Sequence, residues 1–184
     1  MEEQEKTPTL INHAIKWGVI CGAVSIVFII LLYVIDYTLM VQIKFALIGM
    51  LLSLVIVTYA GIEYRKMQGG FLSYGKAWQV SFVTFVVSGL IYTVFSLLLY
   101  TVIDPELPSK LTDAALDNAR AMMENFGAPA DSIDAEVEKT RASTESRFKP
   151  AGMAMGFGFS LIFYAVFSLI TALISRKNPP MDQM

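Results

Sequence analysis

Four long apolar runs divide the chain, at residues 17–35, 45–62, 77–103 and 151–174, and none contains a charged side chain. Three of them reach about the 20 residues that a helix needs to cross a ~30 Å hydrocarbon layer. The runs are continuously apolar, without the alternation of a barrel strand that turns every second residue to a lumen. In lipid each span must satisfy its own backbone hydrogen bonds, which a helix does and a lone strand cannot. The pattern predicts four transmembrane helices. The third run has 27 residues, ~40 Å as a helix at 1.5 Å per residue, so it should tilt or project past the bilayer.

Between the third and fourth runs the pattern changes. Residues 104–150 are rich in Ala, Asp and Glu, and within them Leu111, Ala115, Ala119, Met122, Met123 and Phe126 recur at helical spacing. Gly127 and Pro129 end that pattern. A second stretch, capped by Asp131 or Ser132, puts Ile133, Val137, Thr140, Thr144 and Phe148 on one face. The prediction is a helical hairpin with one narrow apolar stripe per helix. Packing of the two stripes into a small cap is the default; the lipid surface or a partner are the alternatives.

Composition agrees: 55% of the 184 residues are hydrophobic and 16% charged, and mean hydropathy is +0.56. Soluble domains carry about 25% charge, so disorder, a disulfide scaffold and an ordinary soluble enzyme are excluded. A net charge of −2 without a basic stripe argues against a nucleic-acid partner. With both termini cytoplasmic, the inside segments hold seven positive and five acidic residues, and the outside segments seven positive and eleven acidic. That balance favours a cytoplasmic tail at 1–16, three spans in 17–103, an extracytoplasmic hairpin at 104–150, the fourth span at 151–175 and a cytoplasmic tail at 176–184. The first span is longer than a signal-peptide core, residues 33–37 offer no small-residue cleavage pattern, and Cys21 lacks the context of a lipidated cysteine.

Candidate chemistry is sparse. The sole histidine, His13, and the sole cysteine, Cys21, cannot make a metal site in one chain, so no cofactor is expected. His13 is expected to anchor at the headgroups and Cys21 to fill core space. Asp36, Lys44, Glu63, Arg65, Lys76 and Asp104 all stand at span edges, which argues against a proton-coupled transporter or an intramembrane protease. Ser81, Thr84, Ser88, Tyr92 and Ser96 share one face of the third span. Such a face can line a path for an uncharged solute or lipid, but interhelical hydrogen bonding is the commoner use. Gly18 with Gly22, and Gly152 with Gly156 and Gly158, allow close helix approach. The connection at 59–78 places Tyr59, Tyr64, Tyr74 and Trp78 as an aromatic belt and Arg65, Lys66 and Lys76 as anchors around a Gly69-Gly70 turn. Tyr64, Arg65, Lys66, Gly69, Gly70 and Lys76 are the candidate contacts to lipid or partner.

Tyr64-Arg65-Lys66, Gly69-Gly70-Phe71 and Tyr74-Gly75-Lys76-Ala77 resemble the corresponding stretch of an uncharacterised bacterial membrane family, domain of unknown function 4199. The Trp17-Gly18 opening and the acidic segment before a Gly-rich fourth span fit the same layout. The resemblance implies a four-helix inner-membrane protein, with no activity, cofactor or catalytic residue to carry over. The sequence therefore predicts an all-α polytopic membrane protein acting as a non-enzymatic scaffold or accessory subunit. Its partners would be the bilayer and a membrane protein or further copies of itself; an oligomeric transporter or channel is the alternative.

Overall fold

The computed structural model describes residues 9–179; the expectations that involve Glu2, Glu3, Glu5, Lys6 and Asp182 lie outside them. Among the described residues the chain is all-helical. It runs α1 (Leu10–Ile35), a 3-10 turn (Tyr37–Val41), α2 (Ile43–Met67) and α3 (Tyr74–Leu98), which continues as a π-helical turn (Leu99–Ile103). Then follow α4 (Leu107–Asn125), α5 (Ala130–Arg147) and α6 (Pro150–Ser175). No strand occurs among the described residues, and one isolated antiparallel bridge pairs Leu72 with Lys177. Helices α1, α2, α3 with its π-turn, and α6 are each long and apolar enough to cross a membrane, which is compatible with a multi-pass membrane protein.

The helices outrun their apolar runs, because a helical hydrogen-bond ladder does not stop where the hydrocarbon does. Helix α1 starts at Leu10, with the Asn12 N–H on Thr9 Oγ1 at 3.3 Å. Helix α2 continues through Glu63 to Met67 and carries Arg65 and Lys66 in its last turn, where cations meet the negative end of the helix dipole. The long third run ends in the π-turn rather than as straight α-helix. There Asp104 ends one element and starts the next: its N–H donates to Leu99 O (2.9 Å), and its carboxylate accepts from the N–H groups of Glu106 (3.2 Å) and Leu107 (3.1 Å). Helix α5 begins one residue before the expected caps, with Pro129 at its N-cap in extended conformation.

Two compact units divide these elements. Among the described residues the first joins 9–25, Met50–Ile91 and 160–179. Its interior holds hydroxyls and small side chains: Ser81, Thr84, Ser88, Ser168, Thr171, Ser175, Ala14, Ala60, Ala77 and Ala172 are all buried. Its exterior is aliphatic and aromatic, with Val55 67%, Ile162 63% and Phe163 62% exposed. Val57, Leu72, Val80 and Phe85 are buried with the hydroxyls and small side chains; the apolar exterior suits a hydrocarbon surround. The glycines of α1 set the closest approach: a Cβ on Gly18 would meet Val87 Cβ at 2.6 Å, and one on Gly22 would meet Ile91 Cγ2 at 2.9 Å. The Gly18 and Gly22 pair thus seats α1 on α3. In contrast, Gly156 and Gly158 face open space.

The second unit joins Ile26–Gly49 and Tyr92–Phe159. Leu99, Tyr100, Leu107 and Leu111 form its core, with Tyr33, Phe95, Phe148 and Met153 packed around them. Helices α4 and α5 pack on one another. Gly18→Val should lower stability by about 1–3 kcal/mol through overpacking, whereas Gly156→Ala should stay within about 0.5 kcal/mol. Thermal unfolding in detergent checks this; equal effects at the two positions would contradict the packing described.

A candidate interfacial site at four helix ends

In the first unit the N-terminal ends of α1 and α3 meet the C-terminal ends of α2 and α6. Spacing places the participants: His13 and Trp17 lie one turn apart on α1, as do Tyr59 and Glu63 on α2. His13 is buried and directs Nε2 at Ala60 O, 2.9 Å away. A carbonyl only accepts, so this nitrogen carries the proton. The same nitrogen stands 4.0 Å from Glu63 Oε2, and the Trp17 indole N–H donates to that oxygen. Trp17 meets Tyr59 edge-on at 5.2 Å, and His13 tilts against Tyr64 at 5.1 Å. Glu63 accepts from Trp17, has His13 nearby and remains 32% exposed.

The same helix ends and their connections carry cations. Arg65 Nη1 donates to Ser175 O at 3.1 Å. The Arg176 guanidinium lies over the Tyr74 ring and the Lys177 ammonium over the Phe71 ring, both at 5.8 Å. Lys16, Lys66 and Lys76 are exposed. Tyr74 OH donates to Leu169 O (3.3 Å) and Trp78 Nε1 to Ala165 O (3.2 Å), which ties α3 to α6. The Leu72–Lys177 bridge adds two backbone hydrogen bonds of 2.9 and 3.0 Å. The result is a collar of aromatic and basic side chains, the chemistry of an anchor at a headgroup layer.

The collar sorts the predicted contact residues. Tyr64 is 5% exposed and packs in the core with Ala14, Leu72, Ala77 and Val80, so it holds helices together. Arg65 is spent on Ser175. Gly69 and Gly70 take φ of +76° and +89°, and the Gly70 N–H closes the end of α2 on Arg65 O at 3.0 Å. That turn terminates a helix and keeps only part of its backbone free for an anion. Lys66 and Lys76 remain at the surface. Sequence reasoning missed the meeting of His13, Trp17 and Glu63; the signal was the pair of four-residue spacings, which can be paired only once the helices are known to be neighbours. Among the described residues no group of three or more His, Cys, Asp or Glu could hold a metal.

Residues 16–177 match the family described as protein of unknown function (DUF4199). The chain belongs to that family. No curated protein and no solved structure matches it.

In this DUF4199 chain the hydroxyl face of α3 points inward. Ser81, Thr84 and Ser88 are buried in the first unit and Ser96 in the second, while Tyr92 is exposed. Thr84 Oγ1 reaches Val80 O (2.7 Å) and Ala14 O (3.2 Å), a direct tie from α3 to α1. Ser81 and Ser96 Oγ have no hydrogen-bond partner among the described residues. Cys21 is buried beside Val57 and Phe85. In the second unit, Arg120–Asp134 and Arg141–Asp113 ion pairs, each 2.7 Å, join α4 to α5. The Asp113 hydrogen bond raises the Arg141 pKa, and Glu106 does the same for Lys110.

His13→Phe keeps the ring packing but leaves Ala60 O without its donor, and should cost about 1–3 kcal/mol. Thermal unfolding of the purified protein reads it; an unchanged midpoint would contradict the role given to His13.

Proposed function

We propose that this is a multi-pass protein of a bacterial inner membrane that acts without catalysis, as a scaffold or accessory subunit binding membrane partners or lipids. The observation that carries the reading is how the polar side chains are spent. His13, Arg65, Tyr74, Trp78 and Thr84 all donate to main-chain carbonyls of neighbouring helices. Such groups brace a platform rather than surround a reacting centre. The outward faces are left to aliphatic side chains that suit lipid or other membrane helices. Both termini are assigned to the cytoplasm. Support comes from the collar cations Lys16, Arg65, Lys66, Lys76, Arg176 and Lys177, set against an α4–α5 hairpin rich in Asp and Glu.

Native mass spectrometry of protein released gently from its own membranes tests this reading. A defined complex is expected whose composition changes when residues 110–147 are deleted; an unchanged composition would contradict the scaffold role. A second reading, an oligomeric transporter for an uncharged solute or lipid, rests on the unpartnered Ser81 and Ser96 hydroxyls. Replacing Ser81, Thr84, Ser88 and Ser96 together by Ala should then abolish flux in liposomes, and unaltered flux would remove that reading.

A further inference from the structure

The apolar stripe of α4 is divided. Leu107, Leu111 and Leu116 are buried, whereas further along Met122 is 61% and Phe126 81% exposed. This uncovered half forms one wall of a groove of about 730 Å³, whose other wall is residues 41–44, from the end of the 3-10 turn into the first residues of α2. That volume falls in the ~300–1,000 Å³ range of small-ligand sites.

Three features of the groove agree on an occupant. The first is depth. Ile43 opens a helix long and apolar enough to span and is 75% exposed, so the groove lies where a span leaves the hydrocarbon. The second is apolar length: Ile43, Met122 and Phe126 offer a contiguous surface for an alkyl chain. The third is charge. The hairpin is rich in Asp and Glu, yet no carboxylate lines this groove; Lys44, whose ammonium lies 5.2 Å from the Phe45 ring centre, lines it with Asn118 and Asn125. One ammonium and two amide donors suit the oxygens of a phosphate ester. We infer that this groove seats a phospholipid, its phosphate at Lys44, Asn118 and Asn125 and one acyl chain along Ile43, Met122 and Phe126. The inference goes beyond the scaffold reading and stands without it, because a lipid can sit here whether or not a protein partner binds elsewhere.

The test uses the full-length chain in phosphatidylcholine vesicles doped with phosphatidylglycerol carrying a diazirine in one acyl chain, with cross-links mapped by mass spectrometry. Cross-links should concentrate at 41–44 and 118–126 above the level on outward positions such as Ile162. Phe126→Glu, which sets a carboxylate against the phosphate at an exposed position, should lower the groove signal at least about tenfold. Lys44→Gln should lower it about two- to fivefold. The signal at Ile162 reports that each variant is folded and inserted, and should not change. Groove labelling no higher than at Ile162, or labelling indifferent to both substitutions, would overturn the inference. So would a photoreactive residue at position 126 that captures a protein in place of lipid in native membranes.

Discussion

Hydrocarbon offers a polypeptide no hydrogen-bond partners, and this one constraint organises the fold. Four segments answer it as helices whose backbones are satisfied internally. The side-chain donors left over face the same problem and solve it in the same way, by reaching a main-chain oxygen. Thr84 on Ala14 O, His13 on Ala60 O, Arg65 on Ser175 O and Trp78 on Ala165 O each join one helix to another. Each such contact is modest, roughly 0.5–1.5 kcal/mol net, but a donor left without one in an apolar surround costs more. Helix association here therefore combines these ties with small apolar clusters, such as Tyr64, Leu72 and Val80 in the first unit and Leu99, Leu107 and Leu111 in the second. Many small and hydroxylic residues point inward beside these clusters, and many bulky aliphatic ones point outward.

The network around Glu63 follows from where the constraint relaxes. At the ends of α1 and α2 a carboxylate can be partly exposed and still hydrogen-bonded, and Trp17 engages it while His13 lies nearby. The cations beyond it lie over Tyr74 and Phe71 or extend outward. The same four helix ends thus tether α6 and present a charged surface.

Much of the fold was legible because it obeys that constraint. Uncharged runs announced the four long helices, and Gly127 announced the end of α4, where it takes a φ of +77°. The inward face of α5, from Ile133 to Phe148, could be read from its spacing. What was not legible depended on neighbours remote in sequence. The Gly18 and Gly22 pair and the Gly152, Gly156 and Gly158 set look alike on paper, yet Gly18 and Gly22 seat α1 on α3 while Gly156 and Gly158 face open space. Tyr64 looked like a belt residue and is buried against His13. The uniform stripe expected on α4 is covered at Leu111 and bare at Phe126, because the core of the second unit stops short of the helix end. The Leu72–Lys177 bridge leaves no trace in either local sequence.

The proposed topology has the chain crossing the membrane four times, with the basic collar in the cytoplasm and the α4–α5 hairpin outside. Single cysteines at Ser143 and at Lys76, introduced after Cys21→Ala, test it most directly through labelling of intact cells with a membrane-impermeant maleimide. The account predicts that Ser143→Cys is labelled from outside and that Lys76→Cys is labelled only once the membrane is opened. The reverse pattern, or both sites labelled from the same side, would contradict it.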